Sequence, residues 1–286
     1  MKAISVITLL LLLSCLQEPY VRVPFSQYSS ACQIYDLDQQ SYAPGIDIYF
    51  RVQPIVFDSV VIDVQQLEEI INNMYSPGGL YFQVQDPIYA DISEDPISYL
   101  SYLDNYYKAG EIRCLVMPEG ISFYEERMNP IMGAADGIPV IDNPSKAKPT
   151  FFIRHEALYS DIVNHELGHV LGLFHTFKDN DLDNKGHNCD TGDKIPSTTT
   201  PFPGGYIVLS TCEFELPENA PKHYSDADKK NMVENTMSYS PDICMESLAN
   251  DQFQRIRKII EVNSRLQDCI IRTEIKVNIK PEAASR

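Results

Sequence analysis

The feature that most constrains this chain is an eleven-residue run, HELGHVLGLFH, at residues 165–175. It places His165 and His169 four residues apart, so that on an α-helix both imidazoles lie on one face and can bind one metal ion. Gly172 permits a left-handed backbone conformation at which the helix ends, and His175 then returns as a third ligand. Three histidine ligands predict a zinc ion with one open coordination position, which is typical of a catalytic site and not of a structural one.

Glu166 follows the first histidine, where its carboxylate can act as a general base toward a water molecule and later as a general acid. For the H-E-x-x-H half alone, an amphipathic helix with incidental surface histidines is the alternative. The extended motif and the surrounding apolar residues favour the metal site, because those residues would dock the helix onto a core. They are Ile162, Val163, Leu167, Val170 and Leu171. The remaining histidines, His155, His187 and His223, are predicted to be surface or loop residues.

A second motif lies downstream, where residues 235–239 read NTMSY. Together with the zinc motif it resembles the metzincin clan of zinc peptidases, in which a methionine turn lies beneath the metal. The resemblance implies that Met237 packs its soft thioether under the histidines. It also implies that Tyr239 stabilises the oxyanion of the tetrahedral intermediate, as a tyrosine near the metal does in several metzincin families.

Further segments resemble the pappalysin family, in particular its small members of the ulilysin and cytophagalysin type. They are HTF at 175–177, CDTGD at 189–193 and DICMESLANDQFQRI at 242–256. Within the last segment Gln252, Arg255 and Ile256 stand where that family has a Q-x-x-R-[MI] helix. The resemblance covers roughly residues 45–265 and is strongest over 160–256.

The resemblance implies an α+β fold: a metzincin-like catalytic domain in which a mixed twisted sheet and the zinc helix lie above an irregular C-terminal subdomain that ends in a helix. We expect a peptidase domain at residues 45–286, with an upper half at about 45–172 and a lower half at about 173–270. In this layout an edge strand of the sheet pairs with the backbone of an extended substrate. Residues 133–141 are expected to form that edge.

Hydrophobic patterning predicts the individual elements. An alternating stretch predicts a strand at Ile46–Phe57, which Pro54 interrupts, and helical spacing predicts a helix at Val60–Tyr75. Further strands are predicted at Leu80–Val84, Glu111–Met117 and Gly137–Ile141, a short helix at Ser98–Lys108 and a C-terminal helix at about Leu248–Arg265. Asp161 and Asn164 are expected to cap the start of the zinc helix.

Relatives of this type bind calcium near the CDTGD loop through oxygen ligands, which makes Asp193 a candidate calcium ligand. Ser197 stands where the family has an acidic residue, and this weakens the prediction. A solvated acidic loop is the alternative reading of the aspartates nearby, which are Asp179, Asp181, Asp183 and Asp190.

The first residues of the chain predict export. Lys2 is followed by an apolar run from about Ile4 to Leu13, a length that suits a signal peptide and is short for a membrane-spanning helix. The run ends in LLSC, which resembles the lipobox of bacterial lipoproteins and makes Cys15 a candidate for lipidation. We therefore expect a signal peptide at 1–14 and a tether at 15–44. Ordinary cleavage, giving a soluble secreted enzyme, is the alternative.

The seven cysteines support an oxidising compartment, because six remain once Cys15 is set aside. In relatives, disulfides in the 189–244 region brace the C-terminal half, which makes Cys189, Cys212 and Cys244 candidates for disulfides, together with Cys269. The pairing cannot be deduced from the sequence. Free buried thiols are the alternative for Cys32 and Cys114.

The formal net charge of −17 excludes a strongly electrostatic nucleic-acid binder, because phosphate contacts require clustered lysines and arginines.

Together, the zinc motif, the family resemblance and the first residues of the chain predict an exported zinc endopeptidase with protein or peptide substrates, attached to a membrane only if Cys15 is lipidated. One alternative is a peptide-binding or adhesion protein with little or no turnover on the same scaffold. Another is a zinc family whose third ligand is a distant glutamate, which His175 and the Met237 turn argue against.

Overall fold

The computed structural model describes residues 47–58, 60–91, 99–118, 131–139, 147–176, 193, 195, 198, 206–215, 225–238 and 240–271. The strands are β1 (Ile48–Phe57), β2 (Leu80–Val84), β3 (Ile88–Ala90), β4 (Ile112–Met117), β5 (Gly133–Ala135), β6 (Thr150–Arg154), β7 (Tyr206–Val208) and β8 (Glu213–Glu215). The α-helices are α1 (Val64–Tyr75), α2 (Tyr99–Asn105), α3 (Asp161–Val170), α4 (Asp226–Glu234), α5 (Asn250–Val262) and α6 (Ser264–Asp268).

The main sheet has the order β2-β1-β4-β6-β5, with β3 also paired to β1. All of its pairings are parallel except that of β5 with β6, which is antiparallel. The predicted mixed sheet in an α+β fold is thereby confirmed. Because β4 and β6 are interior strands, they are rich in apolar residues and are buried along their whole length.

The zinc-motif helix α3 and helix α1 cover one face of the sheet, and their apolar side chains share its main hydrophobic core with helix α5. A smaller apolar cluster with side chains of α2 covers the opposite face. Among the described residues, no helix combines the length and the apolar character needed to cross a membrane.

Pro54 does not interrupt β1, contrary to the prediction. Strand β1 pairs with β2 up to Val52 and with β3 from Ile55 onward. The backbone N–H and C=O groups of even-numbered β1 residues face β2 and β3, because the Val52 carbonyl accepts a hydrogen bond from the N–H of Gln85 on that side. The missing N–H of Pro54 therefore points into the gap between the two neighbouring strands, where no ladder hydrogen bond is lost.

Residues 137–139 of the predicted strand Gly137–Ile141 are not in a strand, and Val140 and Ile141 lie outside the described residues; the strand of this segment is β5, which ends at Ala135. Asp136 still donates its N–H to Thr150 of β6, and its carboxylate accepts the backbone N–H of Lys148. The predicted C-terminal helix is likewise divided at Asn263. There the side-chain oxygen of Asn263 accepts the backbone N–H groups of Arg265 and Leu266 and caps a new helix, α6.

Cys212 and Cys244 form a disulfide across 32 residues, which ties the β7–β8 hairpin to the segment before α5. Cys269 carries a free thiol, so its predicted part in a disulfide is wrong. It is buried at the end of α6, where its thiol donates to the Arg265 carbonyl. Cys114 is also free and buried, as the alternative for it predicted. Cys15, Cys32 and Cys189 lie outside the described residues.

Candidate metal centre

Helix α3 carries the first part of the zinc motif and is buried from Val163 to Val170. It is capped by Ser160, whose hydroxyl accepts the N–H of Ile162, and not by Asp161 or Asn164 as predicted. The Asp161 carboxylate instead accepts the Asn164 amide, and the Asp161 N–H donates to Asp242. Sequence alone favoured the wrong residue because serine, aspartate and asparagine are all good caps.

Gly172 ends the helix as predicted, with a φ of 96°. Its N–H donates to the His169 carbonyl, and the N–H of Leu173 donates to Gly168. A Cβ at this position would lie 2.6 Å from Cγ1 of Ile259 in α5. The position therefore requires glycine both for its left-handed backbone and for the close packing of α5.

The turn brings His175 back to the two helical histidines. Its Nε2 lies 3.0 Å from Nε2 of His165 and 3.0 Å from Nε2 of His169. All three side chains are buried. Among the described residues they form the one group of histidine, cysteine, aspartate or glutamate side chains with metal-binding geometry.

The Nδ1 atoms of the two helical histidines face backbone carbonyls. His165 Nδ1–H donates to the Thr236 carbonyl at 2.7 Å, and His169 Nδ1–H donates to the Leu173 carbonyl at 2.8 Å. In a neutral imidazole this leaves Nε2 unprotonated, with its lone pair directed to the centre of the cluster. Burial is the main cause that lowers the pKa of His165 to about 3 and that of His169 well below its usual value, which favours the neutral form.

This donor set fits zinc. Unprotonated nitrogens that converge in a buried space repel one another unless a cation lies between them. Zinc–nitrogen bonds of about 2.0–2.1 Å in tetrahedral geometry place the ligand atoms about 3.3 Å apart. The observed separations of 3.0 Å are close to that value. Three histidines with no further protein ligand among the described residues match the open site of a catalytic zinc.

Glu166 is buried beside the histidines and contacts strand β5. Burial raises the pKa of Glu166 to about 8, while a hydrogen bond from the backbone N–H of Ala135 acts in the opposite direction. A cation held by the neighbouring histidines would further favour the ionised carboxylate. Gly133 provides the space, because a Cβ there would lie 2.7 Å from Cγ of Glu166.

We expect Gly133→Ala to lower kcat about tenfold or more while zinc stays bound, because the added methyl group displaces the Glu166 side chain and small misplacements of a reacting group are costly. Ala134→Ser is the matched control, since Ala134 faces the opposite side of the sheet. Steady-state kinetics and metal analysis of both variants check this. Equal kcat values for Gly133→Ala and the wild type would contradict it.

Met237 lies beneath the site and is fully buried. A Cβ on Gly168 of α3 would lie 2.5 Å from the Met237 sulfur, which shows how closely the thioether packs on the zinc helix. The Met237 carbonyl accepts the N–H of Thr176, next to the third histidine. Tyr239, the other residue predicted in this turn, lies outside the described residues, and its neighbours Ser238 and Ser240 are buried.

The calcium prediction gains no support. The Asp193 side chain is buried, and its Oδ1 accepts the N–H of Ile195 and the hydroxyl of Thr198. Burial raises the pKa of Asp193 to about 6, while its hydrogen bonds and the nearby Arg255 act in the opposite direction. The remaining candidate aspartates, Asp179, Asp181, Asp183 and Asp190, lie outside the described residues, as do His187 and His223. His155 lies in a 3-10 turn before α3, apart from the metal cluster.

Several contributors to the site were not recognised from the sequence. They are the carbonyls of Thr236 and Leu173, the N–H of Ala135, the space left by Gly133, and the side chain of Asn235, whose Oδ1 accepts the N–H of Met237. Backbone groups leave no trace in residue type, and a glycine that admits a neighbouring side chain looks like any other glycine. The Q-x-x-R pattern at Gln252 and Arg255 is a signal in the sequence that points to this part of the site.

The chain is similar to a peptidase family in part of its sequence and to solved proteins in its fold. Residues 153–261 match the peptidase family model described as "Pregnancy-associated plasma protein-A". In structure the chain is similar to mirolysin, solved in complex with a compound, at a TM-score of 0.54 and 16% identity, over 78% of this chain and 97% of that one. It is also similar to archaemetzincin from Methanopyrus kandleri, at a TM-score of 0.41 and 13% identity, over 74% of this chain and 96% of that one.

No curated protein matches the chain in sequence. The likeness to mirolysin concerns the fold, whereas the family match covers the segment that carries the histidine cluster, Glu166 and Met237. Over residues 153–261 the chain therefore matches the pappalysin family of zinc peptidases, and this match, with the histidine cluster inside it, supports a zinc metalloendopeptidase.

Proposed function

We propose that this protein is an exported endopeptidase that binds an extended polypeptide beside strand β5 and hydrolyses an internal peptide bond, with Glu166 as general base. The convergence of three histidine nitrogens carries this proposal. The Glu166 carboxylate is held beside them, between helix α3 and the edge strand. The alternative of a binding protein without turnover has no observation in its favour.

In this proposal the Nε2 atoms of His165, His169 and His175 hold the metal. Zinc, when bound, polarises a carbonyl oxygen and lowers the pKa of water in its open position to about 7. Glu166 takes the proton of the attacking water on a carboxylate oxygen and passes it to the nitrogen of the leaving amine. Because Glu166 is buried and fixed by Ala135, its carboxylate needs little reorganisation during the reaction.

Strand β5 offers the binding edge for an extended substrate. Asp136 donates its N–H to Thr150, and Met132 accepts the N–H of Arg154, so even-numbered residues face β6. In an antiparallel pair the residues between them, Gly133 and Ala135, direct their backbone groups to the other edge, which no strand among the described residues occupies. Because the Ala135 N–H there donates to Glu166, a substrate strand would pair with the Gly133 N–H and with the carbonyls of Gly133 and Ala135. A peptide that adds a strand there would lie beside Glu166.

Two further roles complete the proposal. Tyr239 would stabilise the oxyanion of the tetrahedral intermediate. Its place in the sequence, two residues after Met237, supports this role. Export, with a lipid anchor at Cys15, is supported by the apolar segment that ends in LLSC. The Cys212–Cys244 disulfide is a further argument for an oxidising compartment.

Mass spectrometry of digested casein or gelatin tests the proposed function. We expect new internal termini, their loss on treatment with a zinc chelator, and their return when zinc is added back. Calcium addition serves as the control and should not restore cleavage after chelation. Tight binding of the substrate without cleavage, by protein loaded with one zinc, would instead favour the peptide-binding alternative.

A further inference from the structure

The two carbonyls that orient the helical histidines belong to segments outside helix α3. The Thr236 carbonyl, which accepts from His165, lies in the turn that carries Met237. The Leu173 carbonyl, which accepts from His169, lies in the turn after Gly172. Each turn is held in place by a buried side chain of helix α5.

Gln252 holds the first turn through a closed amide pair. The Asn235 amide donates to Gln252 Oε1 at 2.8 Å, and the Gln252 amide donates back to Asn235 Oδ1 at 3.2 Å. The same Asn235 oxygen accepts the N–H of Met237 at 2.9 Å, and Gln252 Oε1 accepts the N–H of Ala249 at 2.8 Å. Because both side chains are buried, loss of one would leave unpaired polar groups in the core.

Arg255, one helical turn later, holds the second turn. Its Nε donates to the Gly172 carbonyl at 2.8 Å, and one of its terminal nitrogens donates to the Asp193 carbonyl at 2.8 Å. The guanidinium carbon also lies 4.7 Å from the centre of the Phe174 ring. Arg255 thus contacts the residues on both sides of Leu173, whose carbonyl orients His169.

We propose that Gln252 and Arg255 are positioning residues for the metal centre: through these two turns they fix the orientation and the tautomer of His165 and His169. Neither side chain is a metal ligand. Each acts through a backbone carbonyl that accepts a hydrogen bond from a histidine ligand. The Q-x-x-R spacing has a physical reason here, because residues three apart on a helix lie on one face. This inference rests on the proposed zinc site and extends it from the ligands to the helix behind them.

Zinc affinity of the full chain, measured by competition with a chromogenic chelator, tests the proposal. We expect Gln252→Met and Arg255→Lys each to weaken zinc binding about tenfold. Groups that orient metal ligands through hydrogen bonds typically contribute 10-fold to 100-fold in metal affinity. Because both act on ligands of one metal ion from neighbouring positions of one helix, the double variant should lose more affinity than either single variant, and need not reach the product of the two effects. The visible spectrum of the cobalt-loaded variants should also shift, since it depends on ligand geometry.

Phe253→Leu is the matched control. Phe253 lies on the same helix but packs against Gly78, away from both turns. It should lower the thermal stability of the metal-free protein and leave zinc affinity and the cobalt spectrum unchanged. If Arg255→Lys, the milder change, also left both unchanged while the wild type bound zinc, the inference would be overturned.

Two other outcomes overturn it as well. A loss of zinc affinity in all three variants, in proportion to their loss of stability, would mean that helix α5 contributes packing alone. A wild-type chain that binds no zinc through its histidines would overturn the proposed function, and this inference with it. Selective weakening in the Gln252 and Arg255 variants supports both.

Discussion

Replacing Glu166 with glutamine is expected to lower kcat about 10³-fold while leaving zinc affinity nearly unchanged. The amide has the shape of the carboxylate, and its oxygen can still accept the Ala135 N–H. It cannot accept the proton of an attacking water, and general base catalysis contributes about 10²–10⁴-fold. The three Nε2 atoms that hold the metal are not altered by the change.

Single-turnover kinetics on a polypeptide substrate, together with metal analysis of the purified variant, check this result. Glu156→Gln is the control, because Glu156 is an exposed carboxylate in the turn before α3. It should behave like the wild type. Proteolysis at the wild-type rate by Glu166→Gln would exclude the general-base role, and a variant without zinc would mean that Glu166 contributes to the metal site itself.

Replacing His175 with alanine is expected to weaken zinc binding by more than about a hundredfold and to abolish cleavage. Loss of a group that only hydrogen-bonds to a metal ligand already lowers metal affinity 10-fold to 100-fold, so loss of a ligand itself should lower zinc affinity further. The protein should remain folded, because His175 follows the end of α3 and its neighbour Thr176 is held through its backbone N–H.

Zinc titration by competition and circular dichroism of His175→Ala check the second result. His155→Ala is the matched control, since His155 precedes the same helix but lies outside the metal cluster. Retention of tight zinc by His175→Ala would reopen the reading in which a distant glutamate supplies the third ligand.

The sequence predicted the ligand cluster because the motif is local. Helical spacing alone places His165 and His169 on one face, and Gly172 alone can adopt the observed φ of 96° without strain. Strands were predicted correctly where apolar residues alternate along the sequence and are buried on one face. Strand β2 is an example, and its predicted bounds, Leu80–Val84, agree with the structure. Pro54 was misread because its effect depends on which strands flank it, and that is a property of the sheet.

Strands β5 and β6 show where the sequence pattern does not predict a strand. Strand β5 is three residues long and contains only small side chains, so it carries no periodicity, and its place is fixed by Glu166 and by β6. Strand β6 was not predicted because TFFIR is an apolar run that helix and strand share. The orienting carbonyls of Thr236 and Leu173 are invisible for a further reason, since their positions follow from tertiary contacts of Gln252 and Arg255.

The acceptor for His165 lies 71 residues after it in the chain. During synthesis all three zinc ligands leave the ribosome well before Thr236 does, and Gln252 and Arg255 follow later still. A nascent chain interrupted in between carries every ligand but lacks the groups that hold the imidazoles in place. Metal capture in its final geometry is therefore coupled to the folding of residues 235–255, which delays assembly of a competent active site until that segment has been made.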